Sequence, residues 1–561
     1  MMKRKYIFLS ILIVFTLLTP LAYQTTYLQA DETDYYSKIQ KGLTYFQKVY
    51  DRVQSHYVEE IDPYEFVKAG IDGMLDALDP YTVFIEEEAD SRLKIITTGR
   101  YGGVGMEIGM RNDQITIISP MDNSPAKKAG IKAGDILKKI NGKSISDYSL
   151  EKISQQLRGP IGSEVELSVL RPGYDNEIVM TIERDEIIID DVNFADMIQP
   201  GVAYIRLTGF TDKAGPELQQ AIKDIEKKGD IEALILDLRG NSGGLLEAAV
   251  EVLGLFLPKG TTVVTTRGFR DGEHTFQTHT DPLLLDTPLA VLVDQGSASA
   301  SEIVAGALQD LDRAIIIGTE TFGKGLVQKV YNIDKNSSTK IKITTAKYYI
   351  PSGRCVQKKD YTESNAIFYN ADKDTFSLID QASQFYTTNQ RKVYEKGGIT
   401  PDRYIKTDDF HHIVIELWKS SLLFNFAVDY YQHNRDWTGD IGVTDEIFNA
   451  FIAYARAHNF HYSIEGENEL NSFLHKVRGT DLPSSLITSG EELLNQLNSL
   501  KESDILKHKT EIEKALFSEL TEKYYSTKEK IRYSLKQDEQ LHEAIDVVLN
   551  KGEYKKILAI K

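Results

Sequence analysis

The chain has 561 residues, more than one hydrophobic core can serve, so several domains are expected. Apolar residues make up 41% and charged residues 26%, the balance of a globular protein rather than a disordered one. A formal net charge of −18 argues against nucleic acid as a partner, no Cys/His spacing suits zinc, and the single cysteine, Cys355, excludes an internal disulfide.

The chain opens on MMKRKYIFLSILIVFTLLTPLAYQ, with Lys3, Arg4 and Lys5 ahead of an apolar run over 6–18. This is the pattern of a secretory signal over 1–30, cut near Ala22 or Ala30; the run is short for a full membrane span. The alternative is an uncleaved anchor that keeps the protein near a membrane. Either way the body of the chain is expected outside the cytoplasm. Residues 31–92 read as a helical region. YYSKIQKGLTYFQKVYDRVQSHYV puts Ile39, Leu43, Phe46, Val49, Val53 and Tyr57 at helical spacing, and YEFVKAGIDGMLDALDP makes a second helix that Asp79-Pro80 stops. Such amphipathic helices serve as packing scaffold or as a dimer arm.

Over 93–182 the texture changes. VGMEIGM, QITIISPM and VELSVLRPG alternate like strands, Ser124-Pro125 opens a short helix, Gly130 and Gly134 close turns, and SLEKISQQLRG is a helix that ends at Gly159. Within YGGVGMEI, Gly102, Gly103 and Gly105 leave backbone N–H groups free to cradle a carboxylate; a tight turn is the plainer reading. A helix beside that loop would form a groove in which an extended peptide adds as a strand.

Over 183–405 strands and helices alternate: VAYIRLTGF, AGPELQQAIKDIEKKG, IEALILDLRG, GLLEAAVEVLGLFL, PLAVLVD, ASEIVAGALQDLD and AIIIG. This is an α/β layered domain, in which chemistry sits on loops beyond the strand C-termini. Two such loops are DLRGNSGG and DQGSASAS. The second carries Ser297, Ser299 and Ser301 on alternate positions. A serine needs a base, and neither loop holds a histidine; a lysine can serve if it is held neutral. Lys324 stands between two glycines in ETFGKGLVQ, which is no P-loop and taken alone suits a surface turn. Residues 406–561 turn helical and charged again. HHIVIELWKSSLLFNFAVDYY has a strongly apolar face, and ILKHKTEIEKALFSELTEKYY reads as one long amphipathic helix without a chemical motif.

Two resemblances follow from these motifs. The glycine loop, SPAKKAGIKAGDILKKINGKSI and the closing strand together resemble a PDZ domain, although Val104 stands where that family's loop has a bulkier apolar residue. The resemblance implies recognition of a polypeptide C-terminus at Gly102, Gly103, Val104 and Gly105. LDPYTVF, LDLRGNSGG, GSASASEIVAGALQD, GTETFGKGLVQ, TTAKYYIPSGRCVQ and GGITPD, in this order over about 35–405, resemble the carboxyl-terminal processing (tail-specific) proteases. That resemblance implies a multidomain α/β protein: a crotonase/Clp-protease-like core at 183–405, a PDZ domain at 93–182 inserted after an N-terminal helical region, and a helical C-terminal extension at 406–561.

It also implies a serine endopeptidase of a bacterial periplasm or cell envelope. Ser299 would be the nucleophile, Lys324 its base and Gln328 the residue that positions the lysine, with Gly244 and Ala300 as oxyanion donors. Lys324 and Gln328 would share a face in a helix and also in a strand. Ser297, Ser301, Arg239 and Asn241 would be supporting residues, and Asp310 a structural support. No metal or cofactor is implied. The partners would be polypeptides with accessible C-termini, and amphipathic helices at both ends suit a homo-oligomer. The alternatives are an inactive PDZ-containing scaffold on the same fold and a crotonase-like thioester enzyme. Retention of Ser299, Lys324 and Gln328 counts against the first, and the PDZ segment against the second.

Overall fold

The computed structural model describes residues 35–334, 339–359, 361, 384–395, 397–406, 410–464, 466–478 and 483–560, the side chains of 87–91 and 502 excepted. The leader expected over 1–30 lies outside them. Among the described residues no helix is long and apolar enough to cross a membrane. The chain divides into two compact units, Met1–Phe84 and Ile85–Lys561.

In the first unit residues 35–56 are helical, and a second helix spans Pro63–Asp76. The Asp62 carboxylate accepts the N–H groups of Tyr64 and Glu65 at 2.9 and 3.0 Å, and Pro63 fills the first helical position, where no N–H is needed. Gly70 lets the Phe46 ring approach closely: a Cβ there would lie 3.2 Å from it.

The second unit begins with a small β domain. Its sheet runs Met106–Arg111, Gln114–Pro120, Ile136–Ile140, Glu164–Leu170, Ile178–Glu183, all antiparallel, with Met106–Arg111 at the edge. Ile117, Leu137, Ile140, Leu167 and Val169 pack with Ile153 of the helix Leu150–Leu157 into its core. Ser124 caps the short helix Pro125–Lys128, and Gly130 and Gly134 take φ of +86° and +88° at the expected turns.

The larger domain is built on a parallel sheet. Its order is Val202–Leu207, Ala233–Asp237, Leu289–Val293, Ile315–Gly318, Arg403–Tyr404, with Val192–Gln199 antiparallel on the first edge. Every residue of Ala233–Asp237 and Leu289–Val293 is buried, which explains their unbroken apolar runs. Helices Ala214–Glu226, Leu246–Gly254 and Ala300–Asp310 cover one face. A second, antiparallel sheet pairs Leu326–Asn332 with Lys340–Tyr349, which in turn pairs with Thr262–Gly268 and so with Gly272–Gln277.

The opposite face of the parallel sheet is covered from far along the chain. Ile531, Leu535, Leu541, Ala544, Val547, Val548 and Leu558 pack on Val202, Tyr204, Ala233, Ile235, Ala290, Leu292, Ile315 and Ile317. The segment read as a helical extension therefore completes the core of the sheet. A separate helical core gathers Ile413, Leu417, Leu423, Phe426, Phe448, Phe451, Ile512, Leu516 and Leu520.

One helical reading is corrected here, and one apolar segment resolves into two helices. HHIVIELWKSSLLFNFAVDYY breaks at Ser421, whose φ of +59° ends His412–Lys419 and starts Leu422–His433. ILKHKTEIEKALFSELTEKYY breaks at His508, between Ser484–Lys507 and Lys509–Tyr524; there the His508 ring stacks on His411 at 3.6 Å. At His508 a tertiary contact outweighs an uninterrupted helical pattern.

At the C-terminus of the helix Ala300–Asp310, the buried Asp310 carboxylate accepts Nη2 of the buried Arg354 at 2.8 Å and the Ser352 N–H at 3.0 Å. Burial lowers the Arg354 pKa, so this guanidinium depends on its partner. Asp310→Ala is expected to destabilise the fold by about 3–5 kcal/mol in denaturant unfolding, because it leaves a buried charge unpaired. Asp310→Asn, which keeps an acceptor, should cost less.

Candidate active site

The three alternate serines have three different environments. Ser297 and Ser301 are fully buried. The Ser297 hydroxyl donates to Leu238 O at 2.8 Å, and the Ser301 hydroxyl donates to Asn241 O at 2.8 Å. Their protons are committed to backbone carbonyls. Ser299 is only half-buried and stands at the N-cap of the helix Ala300–Asp310 with φ +56° and ψ −111°. That conformation is costly for a residue with a Cβ, and strain of this kind persists only where surroundings impose it.

What imposes it is Glu302. Its buried carboxylate accepts the Ser299 N–H at 2.9 Å, the Gly323 N–H at 2.7 Å, the Lys324 N–H at 2.8 Å and the Thr321 hydroxyl at 2.6 Å. Burial raises the Glu302 pKa, and these donated hydrogen bonds oppose the rise. One carboxylate thus holds the backbone of Ser299 and the backbone of Lys324. Tyr348 joins the same two residues from another side: its buried hydroxyl lies 2.5 Å from Lys324 O and 3.1 Å from Ser299 O. Burial keeps the Tyr348 hydroxyl protonated, its pKa well above the ordinary tyrosine value.

The lysine loop is fixed further by Phe322 N–H to Ser297 O at 3.0 Å and Gly325 N–H to Gln357 Oε1 at 2.7 Å. Gly323 takes φ +89°, and a Cβ there would meet Lys358 Cβ at 2.6 Å. Lys324 is half-buried. The segment after it is the strand Leu326–Asn332, so the helical alternative for Lys324 and Gln328 falls away. The ladder shifts register between Val327 and Gln328, and Gln328 Nε2 donates to Thr344 Oγ1 at 3.3 Å.

The glycine loop over 240–244 closes the other side. Asn241 stitches it in place: its Nδ2 donates to Leu207 O, its Oδ1 accepts the Gly243 N–H, and its carbonyl accepts the Ala298 N–H. Arg239 pairs with Asp237 and with Asp538, each at 2.6 Å. Burial alone would raise the Asp237 pKa, but the Arg239 guanidinium overrides it and the net shift is downward. Gly244 runs so close to Phe210 that a Cβ would lie 2.3 Å from its carbonyl oxygen. Among the described residues no hydrogen bond occupies the N–H of Gly244 or of Ala300. Two donors are thus available near Ser299, one of them at a helix N-terminus. No cluster of described residues suits a metal ion.

In the β domain the structure narrows the expected nest. Gly102 and Gly103 belong to the strand Arg100–Gly103, which pairs with Asp185–Ile188, and Gly103 also bridges to Arg158. They are ladder residues rather than an open loop. The turn proper is Val104, buried in the domain core, and Gly105, at φ +70° against Ser124. It leads into the edge strand Met106–Arg111, beside the helix Leu150–Leu157. Arg158 stacks over the Tyr101 ring at 5.3 Å.

Four positions escaped the sequence reading: Glu302, Tyr348, Thr321 and Gly243. Glu302 had a signal, since Ser-x-x-Glu before an apolar helix is a capping pattern. Tyr348 and Thr321 had none, because their partners, the carbonyls of Ser299 and Lys324 for the first and the Glu302 carboxylate for the second, are distant in sequence.

The peptidase family S41 profile matches residues 201–365, a PDZ domain profile residues 116–171, a profile described as a probable PDZ-protease C-terminal helical domain residues 413–548, and one for the activating protease CtpB N-terminal domain residues 16–89. A carboxy-terminal-processing protease of Bartonella bacilliformis is 41% identical over 321 residues, 56% of this chain and 73% of the relative. The carboxy-terminal processing protease CtpB of Bacillus subtilis is 33% identical over 335 residues, 59% and 69% of the two chains. Among solved structures, a photosystem II D1 C-terminal processing protease aligns with 26% identity and a TM-score of 0.36, over 65% of this chain and 93% of that one.

Gly243 gives the most local test of this geometry. Its φ is +96°, and a Cβ there would lie 2.6 Å from Ala298 O and 2.9 Å from both Ser299 Cβ and Ala300 N. Gly243→Ala is expected to lower the unfolding midpoint by several degrees and to slow labelling of Ser299 by a serine-reactive electrophile at least ten-fold.

Proposed function

Because the chain belongs to peptidase family S41, the carboxy-terminal processing proteases, and is a serine-type peptidase with a PDZ domain, we propose that it cleaves exported polypeptides by a Ser299–Lys324 mechanism and selects them by their C-termini. The observation that carries this reading is the joint suspension of Ser299 and Lys324 from one carboxylate, Glu302.

Neutral Lys324 takes the Ser299 hydroxyl proton as the oxygen attacks a peptide carbonyl. The oxyanion is held by the N–H groups of Ala300 and Gly244, where helix dipole and open donors favour negative charge. Lys324 then gives its proton to the leaving amine. Water enters, gives a proton to Lys324 and attacks the acyl carbonyl; as the acyl-enzyme breaks, Lys324 returns that proton to the Ser299 oxygen. Gln328 positions the lysine from the adjoining strand. Asn241 and Arg239 keep the glycine loop at its distance from Ser299. None of these steps calls for a metal or a cofactor.

The substrate's C-terminal carboxylate is received at Val104 and Gly105, with Gly102 and Gly103 bracing the turn, and its last residues add as a strand along Met106–Arg111. A bound peptide realigns Lys324 or Gln328 with Ser299 and so gates activity. The basic and apolar start of the chain is a signal that exports it to the periplasm or cell envelope, with an uncleaved anchor as the alternative. Ile39, Leu43, Phe46 and Val49 form an exposed apolar row on the helix 35–56, which supports self-association through that helix.

An unfolded polypeptide with a free C-terminus tests the reading. Ser299→Ala and Lys324→Ala should stay folded and lose at least a thousand-fold in rate, whereas amidating the substrate's C-terminus should raise KM. Cleavage by Ser299→Ala would refute the choice of nucleophile. Glu302→Gln should lower kcat with little change in KM, since it removes acceptors from a site with four donors. Acidification through the raised Glu302 pKa protonates the carboxylate in the wild type alone, so the rate ratio of wild type to Glu302→Gln should narrow as pH falls.

A further inference from the structure

The C-terminal helical region is attached to the rest of its unit in two chemically different ways. Toward the parallel sheet the contact is apolar and close-packed, with Leu541, Ala544, Val547, Val548 and Leu558 buried on the strands. Toward the β domain it is not. There the helices Leu422–His433 and Lys509–Tyr524 meet the outer face of the small sheet, where Thr116 and Ile136 point away from the core formed by Ile115, Ile117 and Leu137. Val428 sits on the Gly134 turn, 2.7 Å from where a Cβ would stand. The Phe424 ring has the Arg111 guanidinium at 5.6 Å and the Lys523 ammonium at 4.0 Å.

This second contact is unfavourably built. Arg111 Nε, Glu519 Oε2 and Lys523 Nζ are buried in it without a hydrogen bond. Cavities of about 570 and 240 Å³ flank it, and Val428 lines both. Buried charges without hydrogen bonds are expensive, and cavity walls lose dispersion contacts. Burial also pushes the Glu519 carboxyl up and the Lys523 ammonium down to about 8, so each group would ionise more readily in water. The apolar contact also buries an atom without a hydrogen bond, Arg403 Nε, but that guanidinium pairs with Glu543 and Glu553.

Arg111 links the contact to the peptide groove. It is the last residue of the edge strand Met106–Arg111, along which an added peptide would run. That strand already shifts register between Glu107 and Ile108, and pairing with a new neighbour would reset its twist as far as Arg111.

We propose that the contact between the helical region and the outer face of the β domain is a releasable latch, which opens when a peptide adds to the edge strand while the apolar contact stays closed. The proposal rests on the peptide-groove reading given above.

Thiol accessibility in the full-length protein tests it. Val428→Cys places a thiol in the latch and Leu541→Cys places one in the apolar contact; the native Cys355 is buried and serves as the reference. The thiol from Val428→Cys should label at least ten-fold faster than that from Leu541→Cys. A peptide with a free C-terminus should speed the first a further five-fold and leave the second unchanged, and the amidated peptide should do neither. Adding Glu519→Leu and Lys523→Met, which removes the buried charges, should slow labelling at position 428 at least five-fold. That comparison needs no ligand. If anisotropy shows no peptide binding but the charge removal still slows labelling, the latch stands and the groove reading falls. If the peptide binds and labelling responds to neither the peptide nor the charge removal, the latch is overturned.

Discussion

Glu302 is the constraint on which the rest of the site depends. It lies one helical turn from Ser299 and is buried, yet it faces four donors from two separate segments. A buried carboxylate is tolerated only where hydrogen bonds replace the water it has lost. Here those bonds come from backbone that must be held: the strained turn at Ser299 and the loop that ends at Lys324. Fixing the carboxylate therefore fixes both reactive residues with one group. The Tyr348 hydroxyl between the two carbonyls repeats the arrangement with an opposite polarity, as a donor facing acceptors.

The site can be rigid because everything behind it is. The serine turn follows Leu289–Val293 and precedes a helix buried along its whole length, and the glycine loop follows Ala233–Asp237, buried at every residue. Asn241 and the two buried serines tie the loop and the turn together through backbone carbonyls. The polar atoms beneath Ser299 are thus occupied with structure, and the open groups face outward. The lysine loop is tied both by backbone bonds, Thr321 N–H to Ile399 O and Phe322 N–H to Ser297 O, and by the Glu302 carboxylate on Gly323 and Lys324.

Much of this was legible from the chain alone. Alternating buried runs and helices announced the layered α/β domain, because a strand covered on both faces has no polar side to display. Gly130, Gly134 and Ser124-Pro125 marked their turns correctly, since each answers a local steric demand. The division of labour among the three serines was not readable from composition. It depends on which hydroxyl finds a carbonyl, and those carbonyls belong to residues 238 and 241. The break at His508 was equally hidden: the amphipathic pattern continues across it, and only packing interrupts the helix. Gly102 and Gly103 were misread as open loop because a strand of glycines looks like a turn until its partner, Asp185–Ile188, is known.

The covering of the parallel sheet has a consequence for how the protein comes into being. Val202, Ala233, Leu292 and Ile317 are made long before Ile531, Leu541 and Val548, which bury them. During synthesis, at roughly 5–20 residues per second, the sheet that carries the serine turn waits for some ten seconds or more with one apolar face bare. The Asp237–Arg239–Asp538 bridge closes only at the end of that wait, and it closes directly onto the glycine loop. A chain without its last helices would leave an apolar face of that sheet bare and would lose the Asp538 partner of Arg239.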